Sequence, residues 1–167
     1  METGEFDALY DASHARLVHQ IHAMTGDRDG AEESVQEAFA RAWARRRAFA
    51  EVHNPEAWLR TVAYRHAVSR WRSLGRARRT ADRALEPERF SPGPDENHVA
   101  LMAALDRLPN DQRRALVLHH LCDLSVAQVA DEVGAPVGTV KARLSRGRTA
   151  LQQLLTATDL DEGASRA

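Results

Sequence analysis

The chain is short of several things, and each shortage narrows what it is. One cysteine, Cys122, stands in 167 residues, which excludes an internal disulfide framework and suits a reducing compartment. No apolar run approaches the roughly 20 residues that a bilayer-spanning helix needs, and no secretory leader pattern opens the sequence. A cytoplasmic protein without membrane insertion is therefore expected. No stretch alternates polar and apolar residues as a half-buried strand would. Phosphate loops, dinucleotide fingerprints and nucleophile elbows are all missing, so the common enzyme signatures have no support. Lysine is nearly absent: Lys141 is the single one among 23 basic residues. Aromatics are few, at 5%, so their gathering between residues 43 and 71 stands out.

What is present is charge, and it is segregated. The formal net charge of -1 conceals two blocks of opposite sign. Residues 1–37 hold nine acids (Glu2, Glu5, Asp7, Asp11, Asp27, Asp29, Glu32, Glu33, Glu37) against Arg16 and Arg28. Residues 38–79 hold eleven arginines (41, 45, 46, 47, 60, 65, 70, 72, 76, 78 and 79) against Glu51 and Glu56. Solvated helix faces are the plain reading of any one such run. The one-sidedness of the second block points instead to two partners of opposite charge.

Residues 124–151, LSVAQVADEVGAPVGTVKARLSRGRTAL, carry the sharpest signal. Ser125 caps a helix and Gln128, three residues on, completes a capping box. Val129, Ala130 and Val133 supply its apolar face. Gly134 sits where positive φ ends it, and Pro136 favours a restart. The second helix carries Lys141, Arg143, Arg146 and Arg148, with no acid between Val137 and Leu155. A helix-turn-helix whose second helix enters a DNA major groove has this pattern. Thr139, near its start, would reach base edges, and the cations would reach bases or phosphates. A small packed helical hairpin is the alternative, and Val140 and Leu144 are core under either.

The remaining periodicity is helical throughout. Phe6, Leu9, Tyr10, Leu17, Val18, Ile21 and Met24 define one helix, ended by Gly26. Asp27 or Asp29 caps the next, with Ala31, Val35, Ala38, Phe39, Ala42 and Trp43 on its apolar stripe. Asn54-Pro55-Glu56 starts a third, running to about Gly75. From Arg76 to Asn97 the period fails among prolines and mixed charge, which reads as a flexible linker. Helices over 99–108 and 111–121 then precede the helix-turn-helix, and 159–167 reads as a disordered tail. The expected fold is all-α: two small helical domains, 1–75 and 98–156, joined by a linker over 76–97, with a tail from 157.

Two further constellations bear on function. In residues 41–79 arginines alternate with Trp43, Phe49, Trp58, Tyr64, His66 and Trp71, so cations can track phosphates while aromatic faces stack on unpaired bases. Most of those tryptophans read as core. Arg60, Arg65, Arg70 and Arg72 fall off the stripe of Trp58, Leu59 and Val62, and are the better nucleic-acid candidates. The loop from Phe49 to His53 has the composition to hold an extruded base. The acidic face at Glu32, Glu33, Gln36 and Glu37 is solvated by default and suits a basic partner. A zinc site at His119, His120 and Cys122 is disfavoured, because adjacent helical histidines diverge by about 100°.

Three stretches resemble one family. DRDGAEESVQEAFARAW (27–43) and NPEAWLRTVAYRHAVSRWR (54–72) are similar to the polymerase-binding and minus-ten helices of bacterial sigma factors of the extracytoplasmic-function (ECF) group. ALDRLPNDQRRALVLHHLCDLSVAQVADEVGAPVGTVKARLSRGRTAL (104–151) resembles their minus-thirty-five domain. This likeness implies a sigma factor, not an enzyme, that needs no cofactor or metal. Glu33, Gln36, Glu37 and Arg41 would bind core RNA polymerase. Phe49, His53, Arg60, Arg65, His66, Ser69, Arg70 and Arg72 would read or open the minus-ten element of promoter DNA. Thr139, Lys141, Arg143, Ser145, Arg146 and Arg148 would serve the minus-thirty-five element. An anti-sigma factor is a further implied partner, and the free chain is expected to be monomeric. The competing reading is a free-standing helix-turn-helix regulator, which explains 108–151 but neither VQEAFxRAW nor PxAWL.

Overall fold

A computed structural model of the chain describes residues 1–80 and 96–165, with side chains described over 1–74 and 97–157. The chain divides into two compact units, Met1–Glu88 and Arg89–Ala167. Among the described residues all regular structure is helical. None of these helices is long and apolar enough to cross a membrane.

The first unit is built from α1 (Thr3–Thr25), α2 (Arg28–Ala44), the short α3 (Arg46–Phe49) and α4 (Pro55–Thr80). Its breaks follow local chemistry. Gly26 takes φ +79° and closes α1, with its N–H on the His22 carbonyl. Asp27 is the residue that caps α2, accepting from the Gly30 N–H at 2.9 Å. Asn54 Oδ1 accepts from the Ala57 N–H at 3.0 Å, so the Asn-Pro start of α4 is built as its sequence suggests. Helices α1, α2 and α4 pack on one another around Leu17, Ile21, Val35 and Leu59, all fully buried. The buried stripe of α4 includes Leu59, Ala63 and Ala67. Helix α4 continues to Thr80, past the expected end at Gly75.

The second unit contains α5 (Glu96–Asp106), α6 (Asn110–Leu116), a π-helical turn (Val117–Leu121), α7 (Val126–Val133) and α8 (Val137–Ser165). The single helix expected over 111–121 loosens into the π turn, where the Cys122 N–H reaches back five residues to Val117 O. Helix α8 runs to Ser165, where a disordered tail was expected; after Gly147 its sequence carries no Gly or Pro until Gly163. The expected linker is helical at both ends, in α4 to Thr80 and α5 from Glu96, and 81–95 lie outside the described residues.

Candidate nucleic-acid interface

In the second unit the turn between α7 and α8 forms as its residues dictate. Ser125 Oγ accepts from the Gln128 N–H at 3.2 Å, and Gln128 Oε1 accepts from the Ser125 N–H at 2.8 Å. Gly134 adopts φ +67°. On α8 the residues Val140, Leu144 and Gly147 repeat at i, i+4 and i+7 and are buried. A Cβ at Gly147 would stand 2.9 Å from Leu116 Cδ1, so glycine lets α8 lie directly on α6. One residue on, Lys141, Ser145 and Arg148 form a parallel exposed stripe, with Thr139 and Arg146 also exposed. Arg143 differs: it is half-buried, and its Nε sits 3.2 Å from Asp111 Oδ2 on α6. Its guanidinium is held by protein before any DNA arrives.

Arg113, within LPxxQR, has a role that the sequence reading did not assign. Its side chain is only 4% exposed and pairs with Asp106 Oδ1 at 2.6 Å, tying α6 to the end of α5. The signal was there: Arg113 shares an i, i+3, i+4 stripe with Leu116 and Val117, all buried. The two histidines of the π turn come closer than helical divergence suggests, with ring centroids 4.7 Å apart. His119 Nδ1 donates to Leu124 O at 2.7 Å, so that nitrogen is committed. Partial burial, then His119 and Arg148, push the His120 pKa down from its ordinary 6.5. No group of three metal-ligating side chains occurs among the described residues.

In the first unit, α4 sorts the predicted residues into two sets. Arg65, Ser69 and Arg72, at i, i+4 and i+7, are exposed on one stripe, and His53 is exposed in the preceding loop. Trp71 is 67% exposed beside them and is not core. Arg60 and Phe49 correct the sequence reading. Arg60 is 4% exposed and its Nη1 donates to the buried Gln20 Oε1 at 3.4 Å. It lies three and seven residues before Ala63 and Ala67, on the buried face that the alanines mark. Phe49 is 2% exposed and packs edge-on against Trp58 at 5.1 Å, which anchors the loop rather than offering a free ring.

His66 is half-buried, with Nδ1 3.1 Å from Ser34 Oγ. The Ser34 hydroxyl donates its one proton to Gly30 O at 2.6 Å, so His66 Nδ1 is the donor to Ser34. In the neutral ring this leaves Nε2 an acceptor. On α2, Glu33 and Gln36 are exposed, while Glu37 pairs with Arg41 Nε at 2.7 Å. Arg70 bridges Asp27 Oδ2 at 3.0 Å and Glu33 Oε2 at 2.9 Å. A residue read as DNA-facing and one read as polymerase-facing are thus bonded to each other.

Family models place this geometry. The model of sigma-70 region 2 matches residues 9–77, and that of sigma-70 region 4 matches residues 98–151. The ECF RNA polymerase sigma factor SigK of Mycolicibacterium vanbaalenii is 31% identical over 162 residues, spanning 90% of this chain and 81% of that protein. The chain belongs to the ECF sigma factors of the sigma-70 family. EcfG of Rhodopseudomonas palustris, of the same group, is 35% identical over 136 residues, 80% of this chain and 75% of EcfG. Among solved structures, the sigma factor RpoE of Bartonella quintana, in complex with the anti-sigma factor NepR, matches at TM-score 0.75 and 28% identity. That match covers 91% of this chain and 97% of RpoE. This sigma factor is a DNA-binding regulator that gives core RNA polymerase its promoter and directs transcription initiation. The free-standing regulator reading accounts for region 4 alone, and the region 2 match leaves it without support.

Proposed function

We propose that this sigma factor divides its work among three surfaces. The acidic side of α2, with Glu33, Gln36 and the Glu37–Arg41 pair, docks on a basic helical element of core polymerase. The exposed stripe Arg65, Ser69 and Arg72 of α4, with His66 beside it, lies along the minus-ten element. His53 and the loop it occupies border the opened strand. Arg60 and Phe49 hold these parts from within. In the second unit Thr139, Lys141, Ser145, Arg146 and Arg148 meet the minus-thirty-five element. Arg143 joins them once Asp111 yields it to a base or phosphate. The observation that carries this reading is α8, where a buried Val140, Leu144 and Gly147 stripe turns a cationic stripe outward.

Duplex opening draws on binding energy to the unpaired strand. Two different readers on one chain do not need a palindrome, so the free protein is a monomer. It works in the cytoplasm, where its polymerase is. An anti-sigma protein is a further partner by analogy with RpoE, which was solved with NepR. Run-off transcription with reconstituted polymerase tests the whole: chain plus core should yield transcripts from defined starts that core alone does not make. Binding to DNA with no transcripts and no association with core would overturn it.

A further inference from the structure

The family resemblance implies a minus-ten DNA contact for Arg70, yet its guanidinium is engaged elsewhere. Nη1 holds Asp27 Oδ2 at 3.0 Å, and Nε holds Glu33 Oε2 at 2.9 Å. Asp27 is itself the cap of α2, through the Gly30 N–H. The space between is tailored. A Cβ on Gly30 would lie 2.2 Å from Asp27 Oδ2 and 2.7 Å from Arg70 Nη1, so only glycine lets the guanidinium reach the cap. One planar fork therefore joins α4 to two carboxylates six residues apart on α2. A lysine ammonium, as a compact point charge, cannot span them in the same way.

We infer that Arg70 is a positioning residue for polymerase binding: it fastens the first turns of α2 to α4 and presets the Glu33 carboxylate, and it makes no phosphate contact in the promoter complex. The inference rests on the reading that Glu33 faces polymerase. Exposed ion pairs are individually weak, so pair strength alone would not matter much. What matters is geometry, since Glu33 is 57% exposed and would otherwise sample many rotamers.

The test uses full-length chain with core polymerase and two readouts: affinity for core, and the slope of log K against log salt for holoenzyme on a promoter fragment. Arg70→Lys and Arg70→Gln should each weaken core binding on the order of fivefold, the fold-change of about 1 kcal/mol. Glu33→Gln should weaken it similarly, and Glu33→Gln with Arg70→Gln should be no worse than Glu33→Gln alone. The salt slope should stay unchanged in both Arg70 variants. A slope lowered by about one in Arg70→Gln marks a lost phosphate contact and overturns the inference, whatever core affinity does. So does normal core affinity in Arg70→Lys and Arg70→Gln while Glu33→Gln is impaired. Normal core affinity in Glu33→Gln instead sinks the polymerase-face reading and this inference with it. Arg70→Lys keeps the charge and the helix, so if Arg70→Gln fails to fold, the core affinity of Arg70→Lys against that of Glu33→Gln decides the test.

Discussion

Single residues in this protein are sorted by whether their charge is matched inside the fold or left for a partner. Glu56 is matched. Hydrogen bonds from Arg16, opposed by burial and helped by the charges of Arg16 and Arg60, hold its pKa below the ordinary 4.5. A depressed carboxylate pKa stabilises the fold above the unfolded value, and that stability is lost as pH falls through the folded one. Arg16→Ala should therefore destabilise the fold slightly at pH 7, by less than about 1 kcal/mol because both groups are partly exposed, and by progressively less as pH falls through the folded pKa towards pH 3. Thermal denaturation at the two pH values checks this; an equal loss at both would mean lost packing. Arg113 and Asp106 should respond asymmetrically. Asp106→Ala leaves a buried guanidinium without its carboxylate and should cost on the order of 2 kcal/mol in urea denaturation. Arg113→Met removes the buried charge while Asp106, half open to water, is rehydrated, so its loss should be smaller.

Elements are set by caps and by small residues at close contacts. A Cβ at Gly134 would meet nothing within 4 Å, so Gly134→Ala isolates the penalty of φ +67° from any clash. That penalty should be about 1 kcal/mol, with Gly134→Asn milder because asparagine tolerates the left-handed region. Ser125→Ala removes the cap on α7 and should cost a similar amount. Both should lower minus-thirty-five affinity only through stability, so binding measured well below the melting point should be nearly normal. Residues of the recognition helix itself should behave oppositely. Arg146→Ala should leave stability unchanged and weaken the minus-thirty-five complex by roughly 1–3 kcal/mol if it makes a bidentate base contact. Arg143→Ala should do less, since Arg143 must first leave Asp111. Footprinting on matched and mismatched promoters separates base contacts from a uniform phosphate loss.

At the scale of the whole molecule both charge blocks fall in the first unit, and the helix-turn-helix lies in the second. Reversing Glu33 and Glu37 to lysine should reduce affinity for core polymerase, while the second unit's binding to minus-thirty-five DNA stays as it was. Co-purification with core and gel-shift of the DNA fragment measure the two. Loss of both together would mean that the units do not act independently.

The residues by themselves determined a good deal. The capping box, the turn glycine, the Asn-Pro start and the helical period are short-range signals, legible because cap hydrogen bonds and φ preferences depend on neighbours a few positions apart. They laid out the helices and the helix-turn-helix, and the family resemblance carried by VQEAFxRAW, PxAWL and GTVKxRL named the partners. What only the tertiary structure decided is which charges are free. Arg60, Arg70, Arg113 and Arg143 look alike as letters beside Arg65, Arg72, Arg146 and Arg148. The first four meet Gln20, the Asp27 and Glu33 pair, Asp106 and Asp111 respectively. Those partners lie 40, 43 and 37, 7, and 32 positions away in the chain. A local stripe hints at the burial of Arg60 and Arg113, but the ion-pair partners are set by which helix packs on which.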